Sequence, residues 1–104
     1  MSAVQITNTV EGHKVRIAMA GRFDFNSHRQ FRQAYEDALQ APEVREIEID
    51  LGNVDYLDSS ALGMLLLLRE KCSNVNKTLA LSSCRGVVLQ VLEVANFNKL
   101  FLIS

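Results

Sequence analysis

The chain has 104 residues, 48% of them hydrophobic, and its 11 basic and 12 acidic side chains leave a formal net charge of -1. That is enough for one compact core, so residues 1–104 are expected to form a single domain, and intrinsic disorder is excluded by composition. No basic run exceeds two residues and no apolar run, Met64 to Leu68 being the best, approaches the ~20 residues that span a bilayer; a nucleic-acid footprint and direct membrane insertion are therefore not expected.

In chain order, Val4, Ile6 and Val10 alternate with polar residues, Glu11-Gly12 marks a turn, and Val15, Ile17 and Met19 alternate again. Two such runs about a glycine turn predict a β-hairpin, closed at Gly21. Asn26 or Ser27 can cap a helix on which Phe31, Ala34, Tyr35, Ala38 and Leu39 recur at helical spacing, and Pro42 ends it. Glu46 to Leu51 is an almost perfect polar–apolar alternation, hence a strand, followed by a loop over Gly52–Leu57.

Asp58-Ser59-Ser60 are helix-starting residues, and the helix they open is expected to run to about Cys72. Met64, Leu65, Leu66, Leu67 and Leu68 make it more apolar than a surface helix needs. It is either central among other helices or presents an apolar edge to a partner. Gly63, one turn in, costs about 1 kcal/mol against alanine and leaves room for another backbone to approach. Asn74 and Asn76 mark a turn before a strand at Thr78–Leu81. Val87, Val88, Val91, Leu92 and Ala95 define a further helix stopped by Asn96, and Leu100–Ile103 supply a last edge strand.

The order ββαβαβαβ, with one polar face on every clear strand, predicts an α/β fold of α+β character: a mixed sheet of four to five strands with its helices on one face. A doubly wound nucleotide-binding sheet would need continuous apolar strands and is excluded. Cys72 and Cys84 match no metal or redox spacing, and His13 and His28 lack a second ligand or a paired nucleophile, so neither a metal nor a cofactor is expected. Met1 to Gln5 shows no charged-then-apolar leader, which points to the cytoplasm.

The chemistry concentrates at Asp55, Asp58, Ser59 and Ser60. A hydroxyl in the first turn of a helix lies beside free amides and the positive end of the helix dipole, so a phosphate there is tolerated by the fold. Beside Asp55 and Asp58 the same phosphate builds a dense negative patch that a docking partner meets. No Gly-x-Ser-x-Gly elbow surrounds Ser59, which argues against a serine hydrolase and against an enzyme in general.

At Asp58-Ser59-Ser60-Ala61-Leu62-Gly63 and at Gly21-Arg22-Phe23-Asp24 the sequence resembles the STAS family, and within it the stand-alone anti-sigma factor antagonists; the resemblance extends to Val87–Ile103. It implies a phosphoprotein of bacterial signalling and transcription regulation. Unmodified, such a protein binds an anti-sigma factor with serine kinase activity and frees a sigma factor. Phosphorylation at the residue matching Ser59 ends that binding, and a metal-dependent serine phosphatase resets it. Ser60 is the fallback acceptor, while Asp24, Asp55, Asp58, Ser60, Leu62 and Gly63 would form the partner-binding and switch region. Ala61 stands where glycine is commoner, and many relatives carry one further C-terminal helix, so a contact through that helix is not expected. The same fold also serves as a regulatory subunit of membrane transporters, including lipid ABC transporters, which is the alternative function.

Overall fold

The structure, a computed structural model, describes residues 4–104, so most of the Met1–Gln5 stretch read for a leader lies outside the described residues. Strand β1 (Gln5–Glu11) turns through Gly12 and His13 into β2 (Lys14–Phe23), in register from Gln5↔Ala20 to Glu11↔Lys14. Gly12 sits at φ 64, the left-handed geometry that the first centre of such a two-residue turn requires and glycine supplies without strain. After β2 the elements alternate: α1 (His28–Gln40), β3 (Glu46–Leu57), α2 (Ser59–Asn74), β4 (Thr78–Ser82), α3 (Gly86–Val94) and β5 (Leu102–Ile103), with single 3-10 turns at Phe25–Ser27 and Phe97–Lys99.

The strands form one five-stranded sheet in sequence order, antiparallel at β1–β2 and parallel from β2 to β5. Each parallel crossover steps to the next strand in the same direction. Right-handed crossovers repeated that way place all three helices on one face of the sheet. Burial follows: Val15, Ile17, Met19, Ile47, Ile49, Leu51, Leu79 and Leu81 are buried beneath the helices, and the residues between them are partly exposed. The expected mixed sheet with one wet face is what the chain builds.

That wet face carries a charge ladder across β2, β3 and β4. Lys14 Nζ lies 2.8 Å from Glu48, Ser82 Oγ donates to Glu48 at 2.5 Å, and Arg16 pairs with Asp50. The Lys14 and Ser82 hydrogen bonds hold the Glu48 carboxyl below its ordinary value. Burial pulls Asp50 upward, but the Gly52 amide and Arg16 outweigh it and leave that carboxyl lowered too. On the helix side, Lys77 Nζ donates to the carbonyls of Ala38, Ala41 and Val44 at 2.9, 2.6 and 2.8 Å, satisfying acceptors at and beyond the C-terminus of α1. Both cysteines are buried and free, and burial pushes each thiol up to about 11.

Several boundaries differ from those read in the sequence. Strand β2 continues past Gly21 to Phe23, α2 runs two residues beyond Cys72, and only Leu102–Ile103 of the last segment is strand. Val10 belongs to β1 but is 73% exposed, because no helix reaches over that end of the edge. Of the two expected caps, Ser27 does hold the N-cap position of α1, but its side chain makes no cap bond to that helix, and Asn26 lies inside the 3-10 turn. Asp24 caps the 3-10 turn by accepting from the Asn26 amide at 3.0 Å, and Ser27, buried, donates its hydroxyl to the Arg22 carbonyl at 3.1 Å instead.

The largest difference is Gly52–Leu57, expected as a loop and found as the second half of β3. Opposite β2, the pairing passes from Ala18↔Asp50 to Ala20↔Asn53, and from Gly21↔Val54 to Arg22↔Tyr56. Strand β3 therefore carries an extra residue at two points, and each bulge breaks the alternation that identifies a strand in sequence. The second bulge turns Asp55 and Tyr56 outward together, just before the helix that follows.

Candidate functional site

The parallel strands β2 and β3 end side by side at Phe23 and Leu57, and the connections leaving them meet at Asp58. This aspartate is the N-cap of α2, in extended backbone geometry, with Oδ1 accepting from the Ala61 amide at 2.8 Å. Its Oδ2 accepts from the Phe25 amide at 3.2 Å. One carboxylate thus starts a helix and fastens to it the segment between β2 and α1, 33 residues away in sequence.

Ser59 is the first residue of α2 and is exposed; Ser60 is half-buried. The opening amides of a helix, here those of Ser59 and Ser60, have no intrahelical partner and, with the dipole, favour an anion at this end. Asp55 is exposed on the β3 bulge, and Asp24 is half-buried beneath its own turn. Arg22 partly offsets this acidity: its Nε is 3.5 Å from Asp24, and its guanidinium lies 4.0 Å from the centre of the Tyr56 ring.

From Leu62 to Leu67 the outward side of α2 is apolar, before the exposed Arg69, Glu70 and Lys71. The helix buries Ala61, Met64, Leu65, Leu68 and Cys72, while Leu66 and Leu67 are exposed and Leu62 is half-buried. Both readings of this helix hold in part: α2 is the middle of the three crossover helices and packs against α1, yet Leu66 and Leu67 remain an open apolar edge. Gly63 is exposed with nothing among the described residues within 4 Å of where a Cβ would stand, so none of their backbone makes the close approach its small size suggested. Phe25, 71% exposed, and Tyr56 add aromatic surface beside the same helix end.

The structure therefore gathers Asp24, Asp58 and Ser59 around the β2 and β3 ends, sets Asp55 on the adjoining bulge, and leads from Ser59 along α2 to Leu62 and Gly63. Sequence reasoning missed Phe25, Tyr56 and Arg22. An exposed Phe directly after an acidic residue was the available signal for the first; the Arg22–Tyr56 stacking and the Asp58–Phe25 bond depend on strand register and left no local pattern. Among the described residues no group of His, Cys, Asp and Glu could hold a metal ion, and no helix is long and apolar enough to cross a membrane.

Comparison with known proteins gives a consistent result. The family model described as "Mlab, STAS domain" matches residues 6–104. A STAS-domain containing protein of Pseudomonas aeruginosa (strain UCBPP-PA14) is 43% identical over 102 residues, covering 98% of this chain and 99% of that protein. Among solved structures, an anti-sigma factor antagonist from Mycobacterium paratuberculosis superposes with a TM-score of 0.85 at 16% identity, over 97% of this chain and 85% of its own. The anti-sigma factor antagonist SpoIIAA matches in its unphosphorylated and phosphorylated forms with a TM-score of 0.72 and 20% identity in each case, over 98% of this chain and 87% or 91% of its own. A sulfate transporter family protein from Wolinella succinogenes gives a TM-score of 0.76 at 15% identity, over 91% of this chain and 80% of its own. At these identities the structural likeness is one of fold.

Proposed function

The chain belongs to the STAS domain family, and from that premise we propose that it is an anti-sigma factor antagonist, acting by binding and not by catalysis. In this reading the unphosphorylated protein binds an anti-sigma factor with serine kinase activity and so releases a sigma factor in the cytoplasm. Phosphorylation of Ser59 switches the binding off, and a metal-dependent serine phosphatase restores it.

The observation that carries the reading is the exposed Ser59 hydroxyl at the mouth of a helix already capped by a different residue. Because Asp58 makes the cap bond, Ser59 is free to be modified without costing α2 its start. A phosphate adds roughly -1.5 to -2 charge beside Asp58. The helix end accommodates it, while a partner seated on Phe25, Tyr56 and the Leu62–Leu66 edge meets it directly.

The second reading is a regulatory subunit of a membrane transporter, supported by the fold likeness to a sulfate transporter family protein. There the same surface would grip an ATPase and Ser59 would simply lie at its rim. Partner capture with wild type, Ser59→Ala and Ser59→Asp chains, before and after phosphatase treatment, separates the two. A kinase-like partner bound by wild type and Ser59→Ala but lost with Ser59→Asp supports the switch. An ATPase bound equally by all three overturns it. Mass spectrometry of the kinase-treated protein distinguishes Ser59 from Ser60.

A further inference from the structure

Among the described residues, the sheet has a long uncovered edge on the side away from α2. Strand β1 is a border strand of seven residues, Gln5–Glu11, paired only with β2 and exposed along its length except at the half-buried Ile6. Such an edge offers a row of unpaired N–H and C=O groups, and proteins ordinarily blunt it with charge, proline, a bulge or a covering loop. Here Gln5 to Val10 contains no charged residue and no proline, and the β1–β2 pairing runs without a register shift. Thr7, Thr9, Ile6 and Val10 are β-branched residues that favour further pairing.

We propose that β1 pairs antiparallel with β1 of a second copy about a two-fold axis at Asn8, joining the two sheets into one. Glu11 and Lys14 flank the two-residue turn and form a hydrogen-bonded pair. By alternation, Ile6, Asn8 and Val10 point their backbone groups outward, away from β2. An axis at Asn8 sets these residues opposite one another: Ile6 faces Val10 of the second copy, Asn8 faces Asn8, and Val10 faces Ile6. On the wet face Thr7 faces Thr9, and Glu11 faces the neutral Gln5, so no like charges oppose.

The side chains complement in the same register. Val10 is an exposed apolar knob. Ile6 lines a groove of about 280 Å³ between β1 and α1, completed by Asn8, Gln30, Gln33 and Ala34. Setting Val10 of one copy opposite Ile6 of the other brings the knob to the groove, twice over by symmetry, as an isologous interface requires. Moving the axis to Thr7 would place Val10 opposite Val4, whose carbonyl already accepts from Gln30 Nε2 at 3.3 Å. Moving it to Thr9 would place Val10 opposite Asn8 and leave Ile6 without an apolar partner.

A single strand pair with flanking groove contacts lies at the small end of specific interfaces, so the dimer should be concentration-dependent with a Kd on the order of 10–100 μM. Sedimentation equilibrium of the full chain tests this. Wild type should show a monomer–dimer equilibrium. Val10→Lys should weaken it at least about tenfold while keeping the circular dichroism of wild type. Val94→Lys, at an exposed apolar residue of α3, should leave it unchanged.

The register has its own test. Mixed Thr7→Cys and Thr9→Cys chains should cross-link under mild oxidation, since those positions face each other about 4.5 Å apart at Cα, within disulfide reach. Each single variant alone should stay uncross-linked, its two cysteines being about 8 Å apart; Cys72 and Cys84 are buried and do not compete. A wild type that remains monomeric at millimolar concentration, a dimer that survives Val10→Lys, or cross-linking of Thr7→Cys by itself would overturn the proposal.

Discussion

Replacing Asp58 with alanine removes two bonds made by one carboxylate: the cap to the Ala61 amide at 2.8 Å and the strap to the Phe25 amide at 3.2 Å. An N-cap is worth about 0.5–2 kcal/mol, and the further bond to Phe25, long and solvent-exposed, adds about 1 kcal/mol net, as an ordinary hydrogen bond does. The expected loss is therefore about 2 kcal/mol. With a urea slope near the low end of the usual range, about 1–1.5 kcal/mol per molar for a chain this short, the midpoint should fall by roughly 1.5 M. Asparagine separates the two bonds. Its amide oxygen can still cap α2, but its amide nitrogen cannot accept from Phe25, so Asp58→Asn should lose about half as much. Urea unfolding followed by circular dichroism measures both variants, and hydrogen exchange at the Phe25 amide reads the strap directly: exchange should accelerate in both. An alanine midpoint within about 0.2 M of wild type, or an unchanged Phe25 amide, would refute the idea that this residue joins the two segments.

Two further expectations concern stability away from Ser59. Lys77→Met leaves the carbonyls of Ala38, Ala41 and Val44 without their shared donor, and charge-assisted bonds of this kind make the expected loss about 2–3 kcal/mol, seen as a lowered Tm. Glu48 is held below its ordinary value of 4.5, so it contributes stability that is fully present above that pH and is lost as pH falls through its lower, folded-state value. Glu48→Gln should therefore flatten the acid limb of a urea-midpoint profile recorded from pH 7 downward; an acid limb as steep as wild type's would contradict the assignment.

The β-hairpin, the Glu46–Leu51 strand and the placement of all helices on one sheet face were legible because burial there follows strict periods. Val15, Ile17 and Met19 repeat every second residue, and Phe31, Tyr35 and Ala38 repeat at helical spacing. Gly52–Leu57 was not, since two bulges desynchronise chain and ladder, and a pattern without a period reads as loop. Asp24 escaped notice as a cap because Asn26 and Ser27 are equally good capping residues nearer the helix, and only the 3-10 turn between them decides the matter. At the site, Ser59 and Asp58 could be singled out because they are neighbours in sequence. Phe25, Arg22 and Tyr56 reach them only through the parallel pairing of β2 with β3, which nothing in the local sequence encodes.

How a negative charge at Ser59 would act on a partner follows from what surrounds it. Charges interacting across open solvent are screened over about 8 Å at physiological ionic strength, so repulsion at a distance fades as salt is added. Ser59, however, stands between exposed Phe25 and the Leu62–Leu66–Leu67 edge, and a partner covering that apolar surface excludes water from the hydroxyl as well. A carboxylate introduced there is trapped without its hydration, and salt does not repair that cost. The affinity that Ser59→Asp is expected to lose should then stay lost when binding is measured from 0.1 M to about 1 M salt, over which the screening length falls from about 10 to 3 Å. Substituting exposed Asp55 by asparagine should instead alter affinity only at the low-salt end. Were high salt to restore Ser59→Asp binding to the wild-type level, the charge would be acting through solvent at the rim, and the apolar edge of α2 would not be the surface the partner covers.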